Sequence, residues 1–271
     1  MKKYMLDMTV KESIAGGCAR GTTTGCATGA NHCLLKLTSD KALPEIRPGQ
    51  FAQVRVDNSP NTYLRRPISI HYINERENEL WLLIQKVGNA TRMMANSRVG
   101  DVLNLLLPLG NGFTMPSGTD KQRMLIVGGG VGVAPLLFLG ERLKAEGHEA
   151  VFLLGARTEG DLLQLQYFKS YGEVYITTED GSCGEKGFVT QHPILKDTHF
   201  DAIYTCGPEA MMKAVARHAL SASITCEVSL ENTMACGIGA CLCCVEDTVC
   251  GNVCVCTDGP VFNIDKLKWL N

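Results

Sequence analysis

The chain has 271 residues, 45% of them hydrophobic, enough for two ordinary cores and an appendage without crosslinks. Its 26 basic and 28 acidic residues give a net charge of -2 with no dense Lys/Arg run, which argues against nucleic acid and anionic membranes as partners. The start, "MKKYMLDMTVKES", carries charges where a secretory signal needs an apolar core. The longest apolar runs are broken by Gly and Pro before the ~20 residues of a membrane span. A cytoplasmic setting, where thiols stay reduced, is expected.

Residues 1–116 read as an antiparallel β-barrel or sandwich. "QFAQVRV", "RRPISIHY", "ELWLLIQKV" and "DVLNLLLPLGNGF" are strand-like and separated by polar breaks. Residues 16–33, "GGCARGTTTGCATGANHC", interrupt the pattern as an insertion of small residues. Each letter is also a nucleotide-ambiguity code, so a loop and a sequence artefact are both open, and no function is assigned to Cys18, Cys26 or Cys33. Residues 117–226 alternate strand and helix: "MLIVGGG", "APLLFLGERLKAEG", "AVFLLGAR", "GDLLQLQYFKSYG", "EVYITTED", "DAIYTCG" and "PEAMMKAVARHAL". That rhythm predicts a parallel sheet of βαβ units. Residues 227–271 form a third, cysteine-rich module.

Four constellations carry chemistry. The glycines of Gly128, Gly129, Gly130 and Gly132 follow a strand and open a helix, where free N–H groups can take a phosphate. Val133 breaks the strict G-x-G-x-x-G spacing, so a plain tight turn is the alternative. Arg66, Pro67, Ile68 and Ser69 on one strand, with the Gly88–Thr91 turn after a later one, could hold a phosphate and a flavin edge; a solvated surface Arg is the commoner meaning. Cys206, at the carboxyl end of the last βα strand, could touch a nicotinamide ring or be a small buried hydrophobe.

The fourth constellation is the cysteine stretch. Seven of the thirteen cysteines lie between Cys236 and Cys256, and none lies between residues 34 and 182. Cys236, Cys241 and Cys244 have the C-x4-C-x2-C spacing of plant-type [2Fe–2S] sites, with a further cysteine at a distance. Zinc, which more often pairs two C-x2-C knuckles, and disulfides are the alternatives.

The ordered motifs "LRRPISI", "VGNAT", "PLGNGF", "LIVGGGVGVAPLLFL", "LLGAR", "TEDGSCGEKGFVT", "YTCGPEAMM" and "MACGIGACLCCV…CTDGPVF" together resemble the ferredoxin–NADP reductase superfamily. Within it, the chain is similar to the electron-transfer subunits of NAD-linked (class 1B) dihydroorotate dehydrogenases. The resemblance implies FAD bound by Arg66, Pro67, Ile68 and Ser69, by Leu83, Ile84 and Gln85, and by Ala90 and Thr91. It implies NAD over Gly128–Gly132 reaching toward Cys206. It implies cluster ligands Cys236, Cys241, Cys244 and Cys256, with Cys254 the rival for the last role if that segment is extended. Cys243 is expected in a small-residue site and Cys250 in a hairpin.

The division of labour follows from electron counting. Nicotinamide takes a hydride, a [2Fe–2S] cluster passes one electron, and FAD does both. The chain has no second large α/β barrel for FMN and substrate. The resemblance therefore implies an FMN-containing dihydroorotate dehydrogenase partner, two of each subunit in a heterotetramer serving pyrimidine biosynthesis, with the cluster module as docking face. The competing readings are a subunit of another flavin/iron–sulfur reductase and, in a different class, a non-catalytic zinc-bearing binding protein.

Overall fold

The computed structural model describes residues 2–15, 31–57, 62–118, 120–197 and 199–270. Most of the insertion, with Cys18 and Cys26, lies outside the described residues. Its expected end does not: His32 and Cys33 are the first residues of a barrel strand, and Cys33 is a buried member of the barrel core.

Six strands close the antiparallel barrel: β1 (Tyr4–Ala15), β2 (His32–Thr38), β3 (Phe51–Val54), β4 (Arg66–Asn74), β5 (Glu79–Gln85) and β6 (Val102–Leu109). Their order around the barrel is β1-β2-β5-β4-β3-β6. Strand β1 shows why the sequence folds this way. Leu6, Met8 and Val10 are buried while Asp7, Thr9 and Lys11 between them are exposed, the period-2 pattern of a half-buried strand. A short helix, α1 (Asn89–Ala95), follows β5. Thr91 Oγ1 accepts the N–H groups of Val87 and Gly88, both at 3.0 Å, and fixes the entry to that helix.

The second part is built on β7 (Arg123–Gly129), α2 (Leu136–Ala145), β8 (Glu149–Ala156), α3 (Leu165–Tyr171), β9 (Glu173–Thr178), β10 (Glu185–Lys186), α4 (Ile194–Asp197), β11 (Ala202–Cys206), α5 (Glu209–Ser221) and β12 (Thr225–Ser229). The third contributes the hairpin β13 (Val245–Thr248) and β14 (Gly251–Cys254), then α6 (Val255–Asp258) and β15 (Val261–Asn263). The large sheet has the order β10-β9-β8-β7-β11-β12-β15. It is parallel except for β15, which comes from the cysteine module and pairs antiparallel with β12. The module thus supplies an edge strand to the parallel sheet, which its sequence does not announce.

Alternation along the sheet strands sorts two cores. Leu125, Val127, Val151, Leu153 and Ile203 face a core shared with α5 and the cysteine module. Met124, Ile126, Phe152, Leu154 and Tyr204 face the opposite core, which runs into Leu34, Trp81 and Leu83 of the barrel. Tyr171 of α3 donates to Tyr72 of β4 at 2.9 Å across that junction.

His71 of β4 is fully buried there. Its Nδ1–H donates to the Ala134 carbonyl, in the turn before α2, at 2.7 Å, while Nε2 has no partner in the chain. Burial drops its pKa from the ordinary 6.5 to about 4, against the opposing pull of the Ala134 hydrogen bond. The ring is therefore neutral in the folded chain over a range where the unfolded chain binds a proton. Its contribution is complete above pH 6.5 and is lost as pH falls toward about 4, amounting to about 3 kcal/mol. Chemical denaturation at pH 7 and pH 5 should show this acid loss, and His71→Gln should flatten it.

Candidate active site and metal centre

Two cavities open along the carboxyl edge of the sheet, where open parallel sheets bind ligands. The first, of about 270 Å³, lies where the three parts of the chain meet. The barrel supplies Phe51, Pro67, Ile68, Ser69, Leu83, Gln85 and Thr91; the Gly turn supplies Val131 and Ala134; the segment after β12 supplies Leu230, Glu231, Asn232 and Met234. Apolar walls with a few hydroxyl, amide and carboxyl groups on the rim fit a flat aromatic ring system such as a flavin.

The expected flavin residues divide by position. Pro67, Ile68, Ser69, Leu83, Gln85 and Thr91 stand on the cavity wall. Ile84 and Ala90 face the barrel interior. Arg66 is half-buried beside the cavity, its guanidinium donating to the Leu64 and Arg65 carbonyls at 2.7 and 3.3 Å.

The second cavity, of about 640 Å³, is lined by Gly129, Gly130, Gly155, Gly187, Phe188, Pro208 and Met211, and by Arg157, Asp161 and Glu179. Thr177 Oγ1 and His32 Nε2 are buried at its wall with no partner in the chain. Buried polar groups of this kind are usually satisfied, and a polar ligand would satisfy these. The glycines of the turn have different tasks. Gly130 has φ +56° and open space where a side chain would stand. Gly132 is packed against another turn: a Cβ there would lie 2.4 Å from the Gly207 Cα. Gly128 is likewise enclosed by Val133 and Leu136. Gly129 and Gly130 are thus the members that face the cavity. Arg157 pairs with Asp161 at 3.8 Å, so the cavity's arginine already has a carboxylate partner.

Cys206 lies behind these walls. It is buried, and its sulfur donates to Glu231 Oε1 at 3.9 Å. Burial, and then the neighbouring Glu231 charge, raise the thiol's pKa well above its ordinary value. Burial also raises the Glu231 pKa, with the Cys206 hydrogen bond opposing. The residue that presents chemistry to the cavity is Glu231, which sequence motifs did not single out. The available signal was its place, just past a buried strand at the carboxyl edge and just before the cysteines.

The cysteine loop is shaped by Gly237 (φ +70°) and Gly239 (φ +83°), which take a left-handed backbone that favours glycine. The loop N–H groups point at sulfur: Ile238 N lies 3.4 Å from Cys236 Sγ, and Gly239 N lies 3.1 Å from Cys256 Sγ. Among the neighbours that act on each thiol, Cys241 lies beside Cys236 and Cys244 beside Cys256. The Cys256 N–H also reaches Cys244 Sγ at 3.4 Å. Burial works to raise the Cys236 pKa, but the N–H groups of Ile238, Cys241 and Ala240 and the Cys241 thiol outweigh it and bring it to about 6. Burial and then Cys244 push Cys256 up to about 12. A thiolate is the form that ligates metal, and Cys236 is the thiol whose pKa the loop lowers.

Among the described residues, no three His, Cys, Asp or Glu side chains converge as they would on a single ion. Four cysteines on one loop and the turn after it are the donor set a binuclear cluster takes, four thiolates about two irons. The N–H groups aimed at sulfur add to the fit.

The other cysteines of the stretch differ in setting. Cys254 ends β14 and precedes α6, so the chain turns helical before Cys256 and the two do not share a strand face as an extended segment would require. Cys254 N–H donates to Asp258 at 3.0 Å. Cys243 is exposed, and Cys250 lies in the β13–β14 turn as expected of a hairpin residue.

The two C-terminal motifs of the barrel and the module grip each other. Asn111, in "PLGNGF", donates its backbone N–H to the Gly259 carbonyl at 2.5 Å and its Nδ2 to the Thr257 and Asp258 carbonyls at 3.1 and 3.0 Å. Gly110 is required at that contact, because a Cβ would lie 2.6 Å from the Gly259 oxygen.

Comparison with known proteins agrees with this architecture. A family model described as the iron-sulfur cluster binding domain of dihydroorotate dehydrogenase B matches residues 231–268, and one described as the oxidoreductase NAD-binding domain matches residues 126–217. The dihydroorotate dehydrogenase B (NAD(+)) electron transfer subunit of Shouchella clausii is 40% identical over 226 residues, 82% of this chain and 86% of that one. The subunit of the same name from Fusobacterium nucleatum is 39% identical over 223 residues, 79% of this chain and 84% of that one. Among solved structures, an NADH-dependent reduced ferredoxin–NADP oxidoreductase superposes with a TM-score of 0.81 at 26% identity, covering 96% of this chain and 89% of that one. A ferredoxin reductase of carbazole 1,9a-dioxygenase shares the fold, with a TM-score of 0.66 at 20% identity over 83% of this chain and 67% of that one. The chain belongs to the family of dihydroorotate dehydrogenase B electron transfer subunits.

Proposed function

We propose that this chain carries electrons from a partner subunit, an FMN-containing dihydroorotate dehydrogenase, to NAD+ in pyrimidine synthesis in the cytoplasm, two of each subunit forming a heterotetramer. The observation that carries the reading is the first cavity. It is walled by all three parts of the chain, and its Met234 stands two residues before Cys236. A ligand there touches the barrel, the nucleotide turn and the root of the cysteine loop at once.

Each part has its own task. Residues 1–116 orient the flavin through Ser69, Gln85, Thr91 and the apolar walls, with Arg66 beside them. Residues 117–226 hold the dinucleotide at Gly129 and Gly130. The paired Arg157, together with Asp161 and Glu179, leaves that cavity a poor host for a 2′-phosphate, which favours NAD over NADP. Glu231, backed by Cys206, sets the polarity of the first cavity beside the flavin. Residues 227–271 hold the cluster through Cys236, Cys241, Cys244 and Cys256. FAD, when bound there, would supply the chemistry that joins one-electron and two-electron carriers: two single electrons with a proton leave as one hydride.

The likeness to ferredoxin–NADP oxidoreductase supports a second reading, service to another reductase. The test is NAD+ reduction by dihydroorotate with the chain and its FMN partner together. Turnover that needs both supports the proposal. Turnover with ferredoxin and none with dihydroorotate supports the second reading.

The ligand assignment predicts a mutational pattern. Cys256→Ser should lose the cluster's visible absorption and its iron, while Cys254→Ser, Cys243→Ser and Cys250→Ser should keep both. Bleaching by Cys254→Ser with colour retained in Cys256→Ser would reverse the assignment of the fourth ligand.

The docking face makes a second prediction. Ile238 and Leu242 flank the cluster ligands yet are 44% and 66% exposed. Exposed apolar residues beside a redox centre mark a protein interface. Leu242→Asp should weaken association with the partner by tenfold or more, as interface anchors do, with iron and flavin content unchanged. Unaltered co-purification and affinity would place the docking face elsewhere.

A further inference from the structure

Gln53 stands at the junction of the barrel and the cysteine loop. Its side chain is fully buried, at 0% exposure, yet neither amide atom has a hydrogen-bond partner in the chain. It is not loose. Strand β3 is flanked on both sides, with Gln53 opposite Pro67 of β4 and Leu106 of β6, and its carbonyl accepts the Arg65 guanidinium at 3.1 Å. Its neighbours on the same strand, Ala52 and Val54, point into the barrel core, so Gln53 points outward with Phe51.

The outward side meets the cysteine loop. A Cβ on Gly237, between the first two proposed ligands, would lie 2.6 Å from Gln53 Cγ and 2.7 Å from Nε2. Glycine at 237 therefore does two things: it takes a left-handed turn and leaves room for this amide. On its other side, Phe51 and Pro67 line the flavin cavity. A buried amide held rigidly against a loop of sulfur ligands, with nothing else to bond, is a donor aimed at that group. The amide oxygen would meet the negative charge of thiolates and sulfide unfavourably, so the NH2 end faces the loop.

We propose that Gln53 donates a side-chain N–H to a sulfur of the cluster on its Cys236–Cys241 side, making it a positioning and potential-setting residue between cluster and flavin. This deepens the cluster assignment above and rests on it. A donor to sulfur stabilises the more negative, reduced cluster and so raises its potential. Removing it should make reduction of the cluster harder and leave the flavin couple unmoved.

The test uses the assembled complex. In an EPR-monitored redox titration, Gln53→Leu, which keeps the volume and removes the amide, should weaken the cluster's reduction equilibrium roughly tenfold, about 59 mV lower for a one-electron couple. The flavin potential, read from its visible bands, should stay in place. An unchanged cluster potential, or a shift confined to the flavin, overturns the proposal. Pulsed EPR of the reduced wild-type complex with 15N in its glutamine side-chain amides gives an answer independent of any variant. A 15N coupling to the cluster supports the donor role, and its absence overturns it. Wild-type complex without any cluster signal would overturn the cluster assignment and this proposal together, an outcome distinct from a cluster that ignores Gln53.

Discussion

The structure depends on close backbone approach between parts that are far apart in the sequence. Three contacts enforce it, each at a glycine. Gly110 lies under the Gly259 carbonyl, tying barrel to cysteine module. Gly132 lies on the Cys206–Gly207 turn, bringing the nucleotide turn against the end of β11. Gly237 lies on Gln53, setting the cysteine loop on the barrel wall. A side chain at any of these would force the parts apart. Dispersion falls steeply with a gap of even half an ångström, and electron transfer needs neighbours. The glycines that the sequence shows in its motifs thus serve packing as much as ligand binding.

Around these contacts the chain is one connected body. The core beneath the cysteine loop is the same one that buries α5 and one face of the sheet, and it includes Cys244 and Cys256. Strand β15 completes the sheet edge after the loop, so the module is tied down at both ends. The opposite face of the sheet runs into the barrel through Trp81, Leu83 and Tyr72. The cavity at the centre is therefore shaped by rigid elements on every side. Preorganised walls of that kind hold a cofactor in one orientation, and the buried neutral His71 belongs to the same junction.

Short-range patterns were legible in the sequence. The Gly turn after β7, the Arg66–Ser69 strand and the C-x4-C-x2-C spacing are local, and each was readable because its chemistry needs neighbouring residues. The alternation of strands and helices gave the sheet. Juxtapositions across the chain were not legible. Gln53 reads as one polar residue in a strand, and its role appears only when Gly237 is placed on it. Glu231 belongs to no motif, and its importance comes from Cys206 behind it and the cavity before it. Strand β15 was hidden because three residues of "VFN" carry no periodicity. Cys254 was a rival to Cys256 only if the segment were extended, and the turn into α6 breaks that strand between them. Cys33 looked like part of the insertion because composition marks a segment and says nothing of the residue at which a strand resumes.

The central claim is that this chain holds a flavin and a [2Fe–2S] cluster in electronic contact with a nicotinamide site. Anaerobic titration of the purified complex with NADH, followed together by visible absorption and EPR, tests it most directly. The account predicts that the flavin bands bleach and that the EPR signal of a reduced [2Fe–2S] cluster grows in, with electrons shared between the two. A complex whose cysteine module holds zinc and stays EPR-silent, or whose flavin bleaches while an intact cluster remains oxidised, would contradict it.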